Sequence, residues 1–168
     1  MKRKSIGAII IYILLITWCV VIFVFSAQPA DTSSWMSSGV AKRLYGFLRY
    51  FSIGKVGDDV SLLNESFETV LRKAAHVFEY AVLGILACMA AKRLFDWYPK
   101  LMAAAFGLMY AITDEVHQFF VEGRSCEARD VAIDFLGVLL GVLVFYLTKI
   151  IHEAIHSGKE NKTKIQWR

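Results

Sequence analysis

Six ionisable side chains stand inside or at the edge of apolar stretches of this sequence: His76, Glu79, Asp114, Glu115, His117 and Asp134. Their spacing groups them. His76 lies four residues after Arg72 and three before Glu79, so the three share one helix face. Asp114 shares a face with His117 and Gln118 in the same way. Asp130, Asp134, Gly137 and Gly141 form a third stripe. Three chemistries fit. Arg72, Lys73, Arg124 and Arg129 could hold a phosphate or pyrophosphate, the arginines as bidentate donors. His76, Glu79, Asp114, His117, Asp130 and Asp134 offer nitrogen and oxygen donors to a metal ion, although a shared helix face is a weak sign of one. His76 or His117 beside a carboxylate could act as an acid–base pair or nucleophile on a phosphoester. The candidate catalytic residues are therefore His76, Glu79, Asp114 and His117. The candidate ligand-binding residues are Arg72, Lys73, Glu115, Gln118, Arg124, Arg129, Asp130 and Asp134. These patterns name no metal and no cofactor.

The bland alternative is an ion-pair network that pins helices together. At membrane depth each ionisable group costs roughly 2.5–3.5 kcal/mol, so such a set persists only with partners. Those partners are each other, the basic residues, water or a ligand. The meeting of both charge signs with two imidazoles favours a site over a simple lock.

The elements that must carry these residues are membrane helices. The chain has 168 residues, 57% of them hydrophobic and 20% charged, and the apolar residues come in long blocks. A soluble domain of this size carries more charge and less apolar surface. The blocks run over 6–25, 74–91, 101–120 and 131–151. Twenty residues rising about 1.5 Å each cover a hydrocarbon core of about 30 Å. The predicted fold is all-α: a polytopic membrane protein, a four-transmembrane-helix bundle. Val40, Leu44, Phe47, Leu48 and Phe51 repeat at helical spacing among Lys42, Arg43 and Arg49. This predicts an amphipathic helical segment between the first and second spans, lying on the headgroups or packed on its neighbours. Residues 54–59 read as a turn, and Ser61 or Asn64 as the cap of a helix running into Leu71. The short connections 92–100 and 121–130 make helices two to four antiparallel neighbours.

A cleaved signal peptide competes for the first block, but its apolar part should be about 7–15 residues, and Gln28 spoils the small-x-small site. The net charge of +4 would suit nucleic acid in a soluble chain. Here the basic residues flank apolar blocks, so they set topology, and no nucleic acid is expected. With the N-terminus inside, eleven Lys and Arg fall on the inner side and eight on the outer. That predicts a cytoplasmic N-terminus at 1–5, a membrane domain over 6–151 and a cytoplasmic basic tail at 152–168, disordered from Ser157. On this topology every odd polar residue maps to one face of the bilayer, the outer one. The result depends only on the number of spans.

Two further features read as plain. His152-Glu153-Ala-Ile-His156 has the H-E-x-x-H spacing of a zinc protease. It falls at the opposite end of helix four, with Gly158 expected to break the helix and no third ligand in view. Three cysteines are an odd number and give no disulfide framework. Cys19 and Cys88 lie inside apolar blocks, while Cys126 is in a loop.

Taken together, Phe25-Ser26-Ala27-Gln28, Arg72-Lys73-Ala-Ala-His76-Val-Phe-Glu79-Tyr80-Ala-Val-Leu83, Tyr110-Ala-Ile-Thr-Asp114-Glu115-Val-His117-Gln118-Phe119, Gly123-Arg124 and Asp130-Val-Ala-Ile-Asp134-Phe-Leu-Gly137 resemble the VanZ-like family of small bacterial membrane proteins. The resemblance covers roughly residues 10–147. It implies a multi-pass protein of the bacterial cytoplasmic membrane with a cell-envelope role and a link to teicoplanin resistance. It brings no catalytic residues with it. The expected partner is a membrane lipid or a lipid-linked envelope precursor, with Arg72, Lys73, Arg124 and Arg129 on its anion. A hydrolase or phosphotransferase on such a lipid, and a ligand-free structural network, remain the rival readings. A transporter is disfavoured, because four helices without a repeat make a poor alternating-access device. Oligomeric state is open.

Overall fold

A computed structural model describes residues 2–30, 38–40, 43, 65–95 and 97–166. Four long helices carry the chain: α1 (Lys2–Ser26), α2 (Glu65–Leu94), α3 (Pro99–Gln118) and α4 (Ala128–Gln166). No strand occurs among the described residues. Three helical stretches are long and apolar enough to cross a membrane: Ile6–Ser26, Thr69–Leu94 and Ala128–His156. α3, expected as a fourth span, is not among them by length and composition. Its last turns carry Asp114, Glu115 and Gln118, all buried inside the bundle.

α2 and α3 pack on each other in the centre. α4 lies against both on one side, and α1 against both on the other, with no close backbone approach between α1 and α4. The core holds Ile22, Tyr80, Leu83, Ala111 and Val138 at one level and Ala87, Cys88, Ala91 and Ala103 at another. Apolar side chains also cover the outside: Ile9, Ile13, Ile16 and Val20 on α1, and Leu136, Leu140, Leu143 and Leu147 on α4, are exposed. In water such exposed apolar faces would be unfavourable; lipid solvates them.

The α2–α4 contact is the tightest. A Cβ at Gly141 would run into the Ala81 carbonyl, and one at Gly84 into the Val138 carbonyl; one at Gly137 would stand 2.6 Å from the Val77 oxygen. Small residues let the two backbones approach, as the stripe of Asp130, Asp134, Gly137 and Gly141 predicts. The same approach brings Asp134 onto α2.

Several boundaries differ from the sequence reading. The helix expected to run into Leu71 and the apolar block from 74 are one continuous helix, since nothing between Glu65 and Leu94 breaks it. α4 does not stop at Gly158 but continues to Gln166, which corrects the expected disorder from Ser157. A glycine costs a helix only about 1 kcal/mol, and the flanking Glu and Lys residues are good helix formers. The predicted amphipathic segment lies outside the described residues apart from Val40 and Arg43, which are helical. The 54–59 turn and the Ser61 or Asn64 cap lie outside them altogether. Cys88 is buried, Cys19 half-buried and Cys126 exposed.

Candidate functional site

At one end of the bundle, the last turn of α1, the first half of α2, the end of α3, the 119–127 loop and the start of α4 come together. Two devices hold the loop. Gly123 adopts a positive φ of 75°, which a side chain would strain. The loop also docks on the chain after α1: the Ala30 N–H donates to the Glu122 carbonyl at 3.3 Å, and Arg124 Nε donates to the Gln28 carbonyl at 3.2 Å.

Beneath the loop is a buried polar knot. Asp114 Oδ2 accepts from Ser26 Oγ at 2.7 Å, Tyr80 OH at 3.1 Å and Gln118 Nε2 at 3.1 Å. Gln118 then accepts from Arg124 Nη1 on its Oε1 at 3.0 Å. Asp114 is 2% exposed, so three donors from three helices are concentrated on one carboxylate oxygen away from water. Glu115, also buried, accepts the Glu127 N–H at 2.7 Å, immediately before the first residue of α4. A carboxylate there satisfies a helix-end donor and complements the helix dipole.

Next to the knot is a cavity of about 180 Å³. Arg72, Lys73, His76, Glu115, Gln118, Arg124, Glu127, Arg129, Asp130 and Asp134 all line it. Eight of the residues singled out from sequence as ligand-binding therefore converge here, with His76 from the catalytic candidates. Its charges are numerically balanced, but their pairing is not uniform. Lys73 Nζ pairs with Asp130 at 2.9 Å, and Arg129 Nη2 with Glu127 at 2.8 Å. His76 Nδ1 is 3.3 Å from Asp134 Oδ1. Among the described residues Arg124 hydrogen-bonds only neutral acceptors, and no carboxylate pairs with Arg72. Burial, and then the nearby Arg72 charge, lower the Arg124 pKa from the ordinary arginine value. Both guanidinium groups line the cavity, and Asp114, Glu115 and Asp130 act on Arg124 in the opposite sense to Arg72. Buried oxygens without a hydrogen-bond partner remain on Asp114, Glu115 and Asp134.

Not every candidate is brought in. His117 turns to the other side of α3 and packs on Phe23, ring centroids 4.2 Å apart, so it lines no part of this cavity. It is one position before Gln118 and two after Glu115, and a helix turns about 100° per residue. Asp114 lies behind the cavity wall, where it orders Gln118. Glu79 lines a second cavity of about 340 Å³, together with Phe25, Ser26, Gln28, Leu71, Ala74, Ala75 and Phe78. Arg72, His76 and Arg124 line both cavities. Ser26, Tyr80 and Glu127 were not counted as site residues from sequence. Ser26 and Tyr80 each put a hydroxyl into an apolar block, which was the available signal; Glu127 acts partly through its backbone, which has none.

The other motif stays apart. His152, Glu153 and His156 are exposed on α4, and the His156 ring is hydrogen-bonded to the His152 carbonyl at 2.9 Å. Among the described residues no group of three His, Cys, Asp or Glu has the geometry to hold a metal ion.

No curated protein and no solved structure matches the chain. The family model described as VanZ/LLP1 matches residues 9–150, which takes in most of α1, the cavity and most of α4. The chain belongs to the VanZ/LLP1 family and is a VanZ-like membrane protein.

Proposed function

We propose that the 180 Å³ cavity binds the phosphate of an anionic cell-envelope component. The observation that carries this reading is the pair Arg72 and Arg124. Both are lining cations that pair with no carboxylate among the described residues, while Lys73 and Arg129 beside them are already paired. Guanidinium groups suit phosphate because their planar forks match its oxygens. An anion between the two would relieve their mutual repulsion.

The reading includes a placement. All four helices cross the bacterial cytoplasmic membrane, with both termini in the cytoplasm and the cavity at the outer face. α3 supports a fourth span because its charged residues near the cavity, Asp114 and Glu115, are buried against its neighbours. Average hydropathy counts them, but lipid would not meet them. A role at the outer face is consistent with a contribution to teicoplanin resistance, read as the antibiotic concentration that stops growth with and without the gene.

The direct test is retention of a polyisoprenyl phosphate by the purified protein in neutral detergent, against the matching alcohol. The phosphate should be retained and the alcohol not. Arg72→Gln with Arg124→Gln should abolish the difference, and an unchanged preference in that double variant would overturn the reading.

One observation favours a second reading. Asp134 holds His76 Nδ1, which leaves Nε2 as the ring atom available for proton transfer. A hydrolase or phosphotransferase would use that atom. Phosphate release from the same lipid, measured with and without divalent metal, decides it: binding without turnover removes the enzyme.

A further inference from the structure

The two cavities differ in character and share three residues. The smaller is walled by charged and amide side chains. The larger, about 340 Å³, lies between the end of α1 and the first half of α2; its walls are mainly apolar, with Ser26, Gln28 and Glu79 as polar members and Phe78 65% exposed. Leu71, Ala75 and Phe78 fall at i, i+4 and i+7 on α2, with Ala74 beside them, and Phe25 faces them from α1. The two alanines between bulkier neighbours make the recess. Arg72, His76 and Arg124 stand at the junction of the two spaces. A soluble anion would use the smaller cavity alone and leave the larger without purpose. A molecule with a phosphate at one end and an apolar chain at the other fits both. Its charge would be held by the two arginines that pair with no carboxylate among the described residues.

From this juxtaposition we infer that the ligand is a lipid phosphate, with its phosphate between Arg72 and Arg124 and its chain in the recess formed by Phe25, Leu71, Ala74, Ala75 and Phe78. The inference rests on the anion-binding reading above and adds the chain, its location and the exclusion of a soluble anion. The occupant follows from charge complementarity: an uncharged lipid would leave the arginines unmatched, and inorganic phosphate would leave the apolar walls unmatched.

The experiment uses the full chain in neutral detergent and three probes: inorganic phosphate, butyl phosphate and hexadecyl phosphate. Affinity is measured by titration, and folding of each variant by thermal melt. Hexadecyl phosphate should bind about tenfold or more tightly than butyl phosphate, since each buried methylene adds affinity. Ala75→Trp fills the recess and should bring hexadecyl phosphate down to the butyl phosphate level while leaving butyl phosphate unchanged. Ala74→Trp serves the same purpose if the first variant does not fold. Arg72→Gln with Arg124→Gln should weaken all three probes. If the three bind equally and only the arginine variants matter, the chain inference fails and the anion site stands. If the arginine variants leave every affinity unchanged, the anion site itself fails. If Ala75→Trp and Ala74→Trp fold and leave the chain-length preference intact, the recess has been wrongly located and the inference is overturned.

Discussion

Asp134 of α4 holds His76 of α2, Oδ1 to Nδ1 at 3.3 Å, across the closest helix contact in the bundle. The pair depends on backbone proximity. Gly137 and Gly141 sit one and two turns beyond Asp134 on the same face, and neither has room for a Cβ. Gly141→Leu should therefore force α4 off α2 and lower stability by about 1–3 kcal/mol, the usual scale of overpacking. A thermal melt in detergent checks the loss, and Leu139→Ala on the exposed face of α4 is the control that should change little.

The same pair separates a functional role from a structural one. Asp134→Asn keeps the shape of the side chain and changes its charge and donor pattern. We expect folded yield near the original with loss of polyisoprenyl phosphate retention. A purely structural network predicts instead that folded protein and retention fall together.

Asp114 should be the most sensitive position for stability. Asp114→Ala removes the acceptor of Ser26, Tyr80 and Gln118 at once. Leaving a buried polar group unsatisfied costs about 1–3 kcal/mol. The melt of Asp114→Ala should fall well below that of Asp114→Asn, which keeps one carbonyl oxygen. Equal melts would show that the knot contributes little.

Arg124 is expected to resist replacement by lysine. Its Nε and Nη1 reach two different acceptors, the Gln28 carbonyl and Gln118. One ammonium cannot reproduce that fork. Arg124→Lys should speed hydrogen exchange in the 119–127 loop, and Arg124→Ala should do so to the same extent.

Membrane placement can be read from the cysteines. Cys126 is exposed in the loop beside the cavity, whereas Cys88 is buried and Cys19 half-buried. A membrane-impermeant maleimide added to intact cells should label Cys126 alone. Labelling only after the cells are opened would place the cavity on the cytoplasmic side.

Much of this arrangement was legible beforehand. Long apolar blocks gave the helices, because a bilayer accepts no other pattern in chains of this kind. The residues now lining the smaller cavity were also legible, because helix period and span count alone carry Arg72, Gln118, Arg124 and Asp134 to one end. His117 shows the limit. It shares the spacing of the site residues, but helical angle sends Glu115 and Gln118 to the cavity and His117 to Phe23.

The sequence by itself determined helical membrane-type blocks, the family to which they belong and the end at which the polar residues gather. Each follows from local pattern, which needs no partner to be read. Only the tertiary structure decided which charges are matched. Lys73 and Arg129 are paired with acids on the start of α4 and in the loop before it, whereas Arg72 and Arg124 meet no carboxylate among the described residues. Nor could the sequence open the second cavity, which lies between the end of α1 and the small side chains of Ala74 and Ala75 on α2. Ion pairing and empty space are properties of distances between helices, and those distances are set by packing at residues such as Gly137 and Gly141.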